Sequence, residues 1–184
     1  LGDVYKRQNF DTSLDSKTGA LINLGNTSTS VGIFSKGILI NSEILNLGGY
    51  ELDRDIGLKY NLKRSDAKMV KEKFALASVK NASNKEQMKL TDKNGENIII
   101  SQRDVSELVS NRLKEVLKLA KKTINHLTKK EISYIIVTGG LTELRDAPLV
   151  IHEEFGNKAR LGMINYVGAR YNGYSTCIGT VSYT

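Results

Sequence analysis

Two short glycine clusters in this chain carry residue types that can hold phosphate and a nucleotide base. The first lies in INLGNTSTSVGIF, residues 22–34, where Gly25, Asn26, Thr27, Ser28 and Thr29 separate two apolar runs. Phosphate binding needs several backbone N–H groups converging on one point with no side chain in the way, and glycine permits both the torsions and the approach. Gly25 supplies that opening, and the four residues after it add side-chain donors. No lysine lies inside the loop and no helix is expected directly after it, so it is neither a Walker A loop nor a Rossmann fingerprint. A polar hairpin turn has the same composition, and this stretch alone leaves both readings open. The second cluster, Thr138-Gly139-Gly140, ends the apolar run of residues 134–137. Strand ends are where ligands collect in α/β sheets, and bare backbone there lets a flat base slide across it. A tight turn is the plain alternative. Lys71, between the two clusters, completes a set in which phosphate, base and a cationic contact are all available.

The elements that must position these residues follow from periodicity. Residues 20–23, 30–34 and 38–47 read as three strands of a meander. A short helix is expected over residues 50–60, just after Gly48 and Gly49, with Leu52 and Ile56 four apart. A second helix, capped by Ser65, places Ala67, Val70, Phe74 and Ala77 on one face. Residues 86–90 and 97–100 flank Asp92-Lys93-Asn94-Gly95, a hairpin signal. A long helix over residues 103–127 carries the stripe Val105, Leu108, Val109, Val116, Leu117, Ala120, Ile124 and Leu127. After the strand at 134–137 comes a short helix with Asp146 as cap and Pro148 in its first turn, where a missing N–H costs little. Arg160 and Leu161 start a last strand, and a turn and small-residue helix close the chain through Tyr166, Gly168, Gly173 and Gly179. This order indicates an α/β unit carrying a smaller insertion.

Composition narrows the class. No apolar run approaches the roughly 20 residues that span a bilayer. The single Cys177 cannot form an internal disulfide. The net charge of +7 is spread along helices among acids, as in Lys63, Arg64, Lys68, Lys71 and Lys73 with Asp66 and Glu72. That reads as solvated helix faces, and no nucleic-acid module or aromatic-interleaved basic stripe accompanies it. His126 and His152 sit far apart without metal-ligand spacing and are expected to be structural or solvated. The ends read as library scars: residues 3–8 are what the mosaic end of a common sequencing transposon encodes, and residues 181–184 match its reverse complement. Residues 1–8 and 181–184 are therefore left out of fold reasoning, and the natural sequence is expected to be an interior piece of a longer gene product.

The order of INLGNTSTSVGIF, NLGGYELDRDI, SDAKMVKEKFALA, ISQRDVSELVSNRLKEVL, IIVTGG and ARLGMINYVGARYNGYSTCIGTV resembles the second half of FtsA, the bacterial actin-like division protein family. The resemblance implies an actin-like (ribonuclease H-like) ATPase second domain with a smaller inserted α+β subdomain. Residues 9–77 and 131–180 would form the nucleotide-binding subdomain, and residues 78–130 the insertion. It further implies ATP binding with Mg²⁺ held indirectly through the nucleotide, self-association into filaments, and membrane attachment through a segment absent here. The partner it implies is the C-terminal tail of the tubulin-like FtsZ, and no nucleic acid. By the same resemblance residues 25–29 match the second phosphate loop, with Asn23 where an acid normally stands. An amide attracts the waters of Mg²⁺ less than a carboxylate does. Gly48 and Gly49 match the family's glycine pair, and Lys71 a lysine near the ribose, with Lys68 in a glutamate position. Gly139 and Gly140 match the adenosine loop, in which Leu141 replaces a third glycine. Arg112 matches an arginine at the tail-binding surface; read without the resemblance it is an ordinary exposed helix arginine.

The leading expectation is an FtsA-like scaffold linking FtsZ filaments to the membrane at the division site, at most a weak ATPase. A close variant is a degenerate adaptor without ATP binding. The rival class is an actin-superfamily enzyme such as a sugar kinase or an Hsp70-like ATPase. A kinase needs a positioned general base beside the acceptor hydroxyl, and neither glycine loop contains an acid suited to that.

Overall fold

The computed structural model describes residues 17–162. Strands β1 (Thr18–Leu24), β2 (Thr29–Ser35) and β3 (Ile38–Leu45) form the expected meander. Helices α1 (Gly49–Lys59) and α2 (Arg64–Lys73) follow, then the hairpin β4 (Gln87–Thr91) and β5 (Asn97–Ser101) and the long helix α3 (Gln102–Leu127). The chain returns through β6 (Tyr134–Thr138), α4 (Ala147–Phe155) and β7 (Ala159–Leu161). The five-stranded sheet has the order β3-β2-β1-β6-β7, with the meander pairs antiparallel and the β1–β6 and β6–β7 pairs parallel. The closing turn and helix read over residues 166–179, and Cys177, lie outside the described residues.

One face of the sheet carries the core. Ala20, Ile22 and Leu24 of β1 alternate with Val31 and Ile33 of β2 in pointing to that side and are fully buried. α3 lies against it with Val105, Val109, Leu113, Val116, Leu117, Ala120 and Ile124 buried, a 3–4 spacing that follows the helical period. Leu108 and Leu127 are only partly buried at the margin of the stripe. Ser101 caps this helix, its hydroxyl accepting from Asp104 N–H at 3.1 Å. Gly19 pairs with Tyr134 across β1 and β6, and a Cβ there would land inside the tyrosine ring.

Three local expectations are corrected. α2 starts at Arg64 with Lys63 in the cap position and no side-chain cap, so Ser65 lies inside the first turn, its hydroxyl on Asp66 at 3.3 Å. The helix also stops at Lys73. Phe74 and Ala77 are buried as the spacing implied, but in non-helical chain clipped elsewhere. Gln102 Nε2 and Arg145 Nη2 donate to Phe74 O, at 3.1 and 2.8 Å. Ser106 Oγ accepts from Leu76 N–H at 2.8 Å, and Arg145 O from Ala77 N–H at 2.8 Å. These distant partners are invisible to local periodicity. Asp146 does precede α4, but at φ 66° without a side-chain cap; its carboxylate instead accepts from Asn81 Nδ2 at 3.0 Å.

β3 is the edge of the sheet, and its side chains are mostly exposed, Ile38 at 66%, Ile40 at 49% and Ile44 at 67%. The β4–β5 hairpin forms a separate two-stranded sheet. Its turn is fastened to the α1–α2 linker: Lys93 N–H donates to Asn61 O at 2.9 Å, and Asn61 Nδ2 to Asp92 Oδ2 at 2.8 Å.

Candidate functional site

Because β1 and β6 run parallel and adjacent, their C-terminal ends lie side by side. That register pairs Asn23 with Thr138 and brings the two glycine loops of the sequence together at the carboxyl ends of these two interior strands. Gly139 takes φ 99°, a torsion that L side chains rarely adopt, and a Cβ there would strike the carbonyl of Leu24. The glycine is therefore required where β6 leaves the sheet over the end of β1.

The β1–β2 turn closes with Gly25 N–H donating to Ser28 O at 3.0 Å. Its carbonyls face the start of α1, Gly25 O accepting from Gly49 N–H at 3.0 Å and Asn26 O from Tyr50 N–H at 2.7 Å. A Cβ on Gly48 would sit 2.6 Å from both of those carbonyl oxygens, so the glycine pair is what lets helix and turn touch. Glu51 completes the junction by accepting from Gly48 N–H at 2.8 Å. With its carbonyls used this way, the turn keeps the N–H groups of Asn26, Thr27 and Ser28 without acceptors among the described residues. Thr29 differs from its neighbours: it is fully buried, and its hydroxyl donates to Leu47 O at 2.8 Å. It anchors the turn from behind and offers no hydroxyl to a ligand.

Gly25, Asn26, Gly49, Gly140 and Leu141 together line a cleft of about 190 Å³, with Lys68, Lys71, Glu72, Glu143 and Leu144. Leu141 is buried, its Cδ2 placed 3.3 Å from where a Gly49 Cβ would be. Lys71 is only 4% exposed. Its ammonium meets Asp53 Oδ1 at 2.7 Å as a charge contact and donates a directed hydrogen bond to Gly49 O at 3.2 Å. The pair ties α2 to α1 beneath the glycine junction. Lys68 is the exposed cation at the mouth, 3.8 Å from Glu72.

Asp53 and Glu51 are the residues that sequence reasoning missed. The signal for Asp53 was present: Gly49, Leu52, Asp53 and Ile56 fall at the 3–4 spacing of an inward face, and an acid on such a face demands a partner. Glu51 stands three residues after Gly48, the spacing of a capping box. The structure also separates Arg112 from the glycine loops. It projects from α3 toward α1, Nε donating to Asp55 Oδ2 at 2.7 Å and Nη1 to Glu115 Oε2 at 2.6 Å. The Asp55 hydrogen bond, with both carboxylates adding to it, raises the guanidinium pKa above its ordinary value. Asp55, Leu58, Leu108, Asn111, Arg112 and Glu115 line a second cleft of about 410 Å³. His126 and His152 lie in the last turns of α3 and α4. No group of three or more His, Cys, Asp or Glu side chains able to hold a metal occurs among the described residues. No helix among them is long and apolar enough to cross a membrane.

The fold aligns with actin-like ATPases. MreB5 of Spiroplasma citri bound to AMPPNP matches with a TM-score of 0.72 at 18% identity, covering 99% of this chain and 56% of that one. The PilM–PilN type IV pilus biogenesis complex matches with a TM-score of 0.69 at 11% identity, covering 98% and 48%. Among curated proteins, Cell division protein FtsA of Bacillus subtilis (strain 168) is 23% identical over 166 residues, 89% of this chain and 38% of the relative. Its counterpart in Staphylococcus epidermidis (strain ATCC 35984) is 22% identical over 183 residues, 98% of this chain and 39% of the relative. The chain thus spans about two fifths of the length of these relatives. Residues 20–179 match the family described as Cell division protein FtsA. That match runs through every element of the sheet and both glycine loops, and the chain belongs to the FtsA family.

Proposed function

We propose that this chain is the second, nucleotide-binding domain of an FtsA-type adaptor that links FtsZ filaments to the membrane at the division site. The observation that carries the reading is the meeting of both glycine loops and the Gly48-Gly49 pair at the carboxyl end of the sheet, in a chain of this family. ATP fits the donor set in kind. Gly25, Asn26, Thr27 and Ser28 would meet its phosphates with backbone N–H groups and short polar side chains. Gly49, Gly140 and Leu141 would face the nucleoside, with Lys71 holding Gly49 in place and Lys68 at the ribose side. When bound, the nucleotide would supply the bridge to a first domain and the energy of a slow hydrolysis. Mg²⁺ fits less well, since Asn23 presents an amide, so the ion would be held by the phosphates rather than by this domain.

The supporting case against an enzyme of the same superfamily is the β1–β2 turn, which holds no carboxylate to act as a general base. Calorimetry on the complete gene product decides the nucleotide question. Micromolar ATP affinity removes the degenerate-adaptor variant, and no heat at millimolar ATP removes ATP binding from the proposal. The partner surface is proposed at the cleft beside Arg112. Titration of a labelled FtsZ C-terminal tail peptide by fluorescence anisotropy is expected to saturate and to weaken with Arg112→Glu. A folded protein that binds no tail peptide would overturn the adaptor reading, and a phosphoryl-transfer assay with a sugar panel would come next.

A further inference from the structure

The strand ends beside the β1–β2 turn carry no charge. Ser30, Asn23 and Thr138 stand abreast on β2, β1 and β6 in the paired register. By alternation with the core residues Val31, Ile22 and Val137, all three fall on the sheet face away from α3. Residues 24–30, the turn and its flanks, contain no Asp or Glu. The amide oxygen of Asn23 is turned sideways: it accepts from the Thr138 hydroxyl at 3.5 Å and lies 2.7 Å from the point where a Gly139 Cβ would stand. Acids elsewhere around the site have other work. Glu51 accepts from Gly48 N–H, and Asp53 is met by Lys71. Glu72 and Glu143 line the cleft on the side of Lys68, Glu72 at 3.8 Å from that lysine.

Magnesium reaches a nucleotide site through one or two carboxylates that hold the ion or its waters, together with the phosphates. A row without a carboxylate offers the ion no hold, and it also lacks the charge that would repel bare phosphates. Backbone N–H donors bind an anion more strongly when it is charged, and a bound Mg²⁺ cancels much of the charge on the phosphates. We propose that this domain takes its nucleotide as the metal-free polyanion, and that the neutral residue at position 23 decides this. The N–H groups of Asn26, Thr27 and Ser28 hold the phosphates directly, and Mg²⁺ adds nothing to the affinity. The proposal rests on the nucleotide reading of the cleft and goes beyond it by naming the form that is bound.

Asn23→Asp isolates the cause, because a carboxylate oxygen can still accept from Thr138 and only the charge is new. Calorimetry on the complete protein compares ATP in EDTA with ATP in excess Mg²⁺. Wild type is expected to bind the metal-free form at least as tightly as the magnesium form. Asn23→Asp, at an unchanged melting temperature, is expected to bind metal-free ATP about tenfold more weakly and to regain most of that loss when Mg²⁺ is added. Ser30→Asp puts the acid on the neighbouring strand, leaves the Thr138 contact alone, and should show the same dependence if Asn23→Asp melts early. Wild-type binding that requires Mg²⁺ overturns the proposal and leaves the nucleotide reading in place; loss of that requirement in Glu143→Gln would assign the ion to the other side of the cleft. Acid variants that bind metal-free ATP as wild type does overturn it as well. No heat from wild type with either form removes the nucleotide reading, and this proposal with it.

Discussion

At the scale of single residues, the buried Lys71–Asp53 pair decides most. Desolvating two charges is costly, and their attraction offsets that cost only while both are present. Lys71→Met is therefore expected to cost about 3–5 kcal/mol of stability in urea denaturation, by stranding Asp53. Lys71→Met with Asp53→Leu should recover most of the loss, because no buried charge then remains. Recovery of stability without recovery of ATP affinity would separate a ligand role of the lysine from its structural one. Tyr60 offers a second check. Burial, with Asp104 nearby, pushes its phenol up to about 12, and its hydroxyl has no hydrogen-bond partner among the described residues. Below pH 10 both folded and unfolded phenols are neutral, so the preference has no effect on stability. Between pH 10 and 12 the unfolded phenol ionises while the folded one does not, and stability falls across that window. Tyr60→Phe should remove this part of the alkaline loss and also a phenolate step near pH 12 in an absorbance titration.

Among elements, the junction of the β1–β2 turn with α1 is the most constrained contact. Gly48→Ala places a methyl 2.6 Å from the carbonyl oxygens of Gly25 and Asn26, a distance that forces the turn off the helix. The expected outcome is a drop in ATP affinity of tenfold or more by calorimetry, larger in proportion than the drop in melting temperature, because the N–H groups of the turn lose their aim. Elements were legible in the sequence where their period was long and local. The α3 stripe, the meander and the Asp-Lys-Asn-Gly hairpin were all readable from spacing. The end of α2 was not, because residues 74–77 are held by Gln102, Ser106 and Arg145, partners 28 to 71 positions away. The site was legible as two glycine loops, but the Lys71–Asp53 contact, which turns Lys71 into a buried brace, is a fact of packing. The inward face of α1 hinted at Asp53, and nothing local tied it to Lys71.

For the whole molecule, parallel pairing of β1 with β6 is what brings two separate motifs into one candidate site, across 115 residues of chain between Asn23 and Thr138. A strand pair so distant in sequence must offset the entropy of closing a long loop before its contacts stabilise the fold. The meander strand at the far edge carries a different consequence. β3 presents Ile38, Ile40 and Ile44 to solvent beside a row of backbone groups that no other described strand covers. Natural sheets blunt such edges with lysine, proline or a bulge; β3 carries a bulge at Ile40, which is left unpaired between Leu39 and Asn41, but it has no lysine or proline along its length. At high concentration two copies are expected to stick by these margins, seen as light scattering that grows with protein concentration and time. Ile40→Lys should delay that clouding without lowering the melting temperature, and would make a cleaner sample for every titration described above.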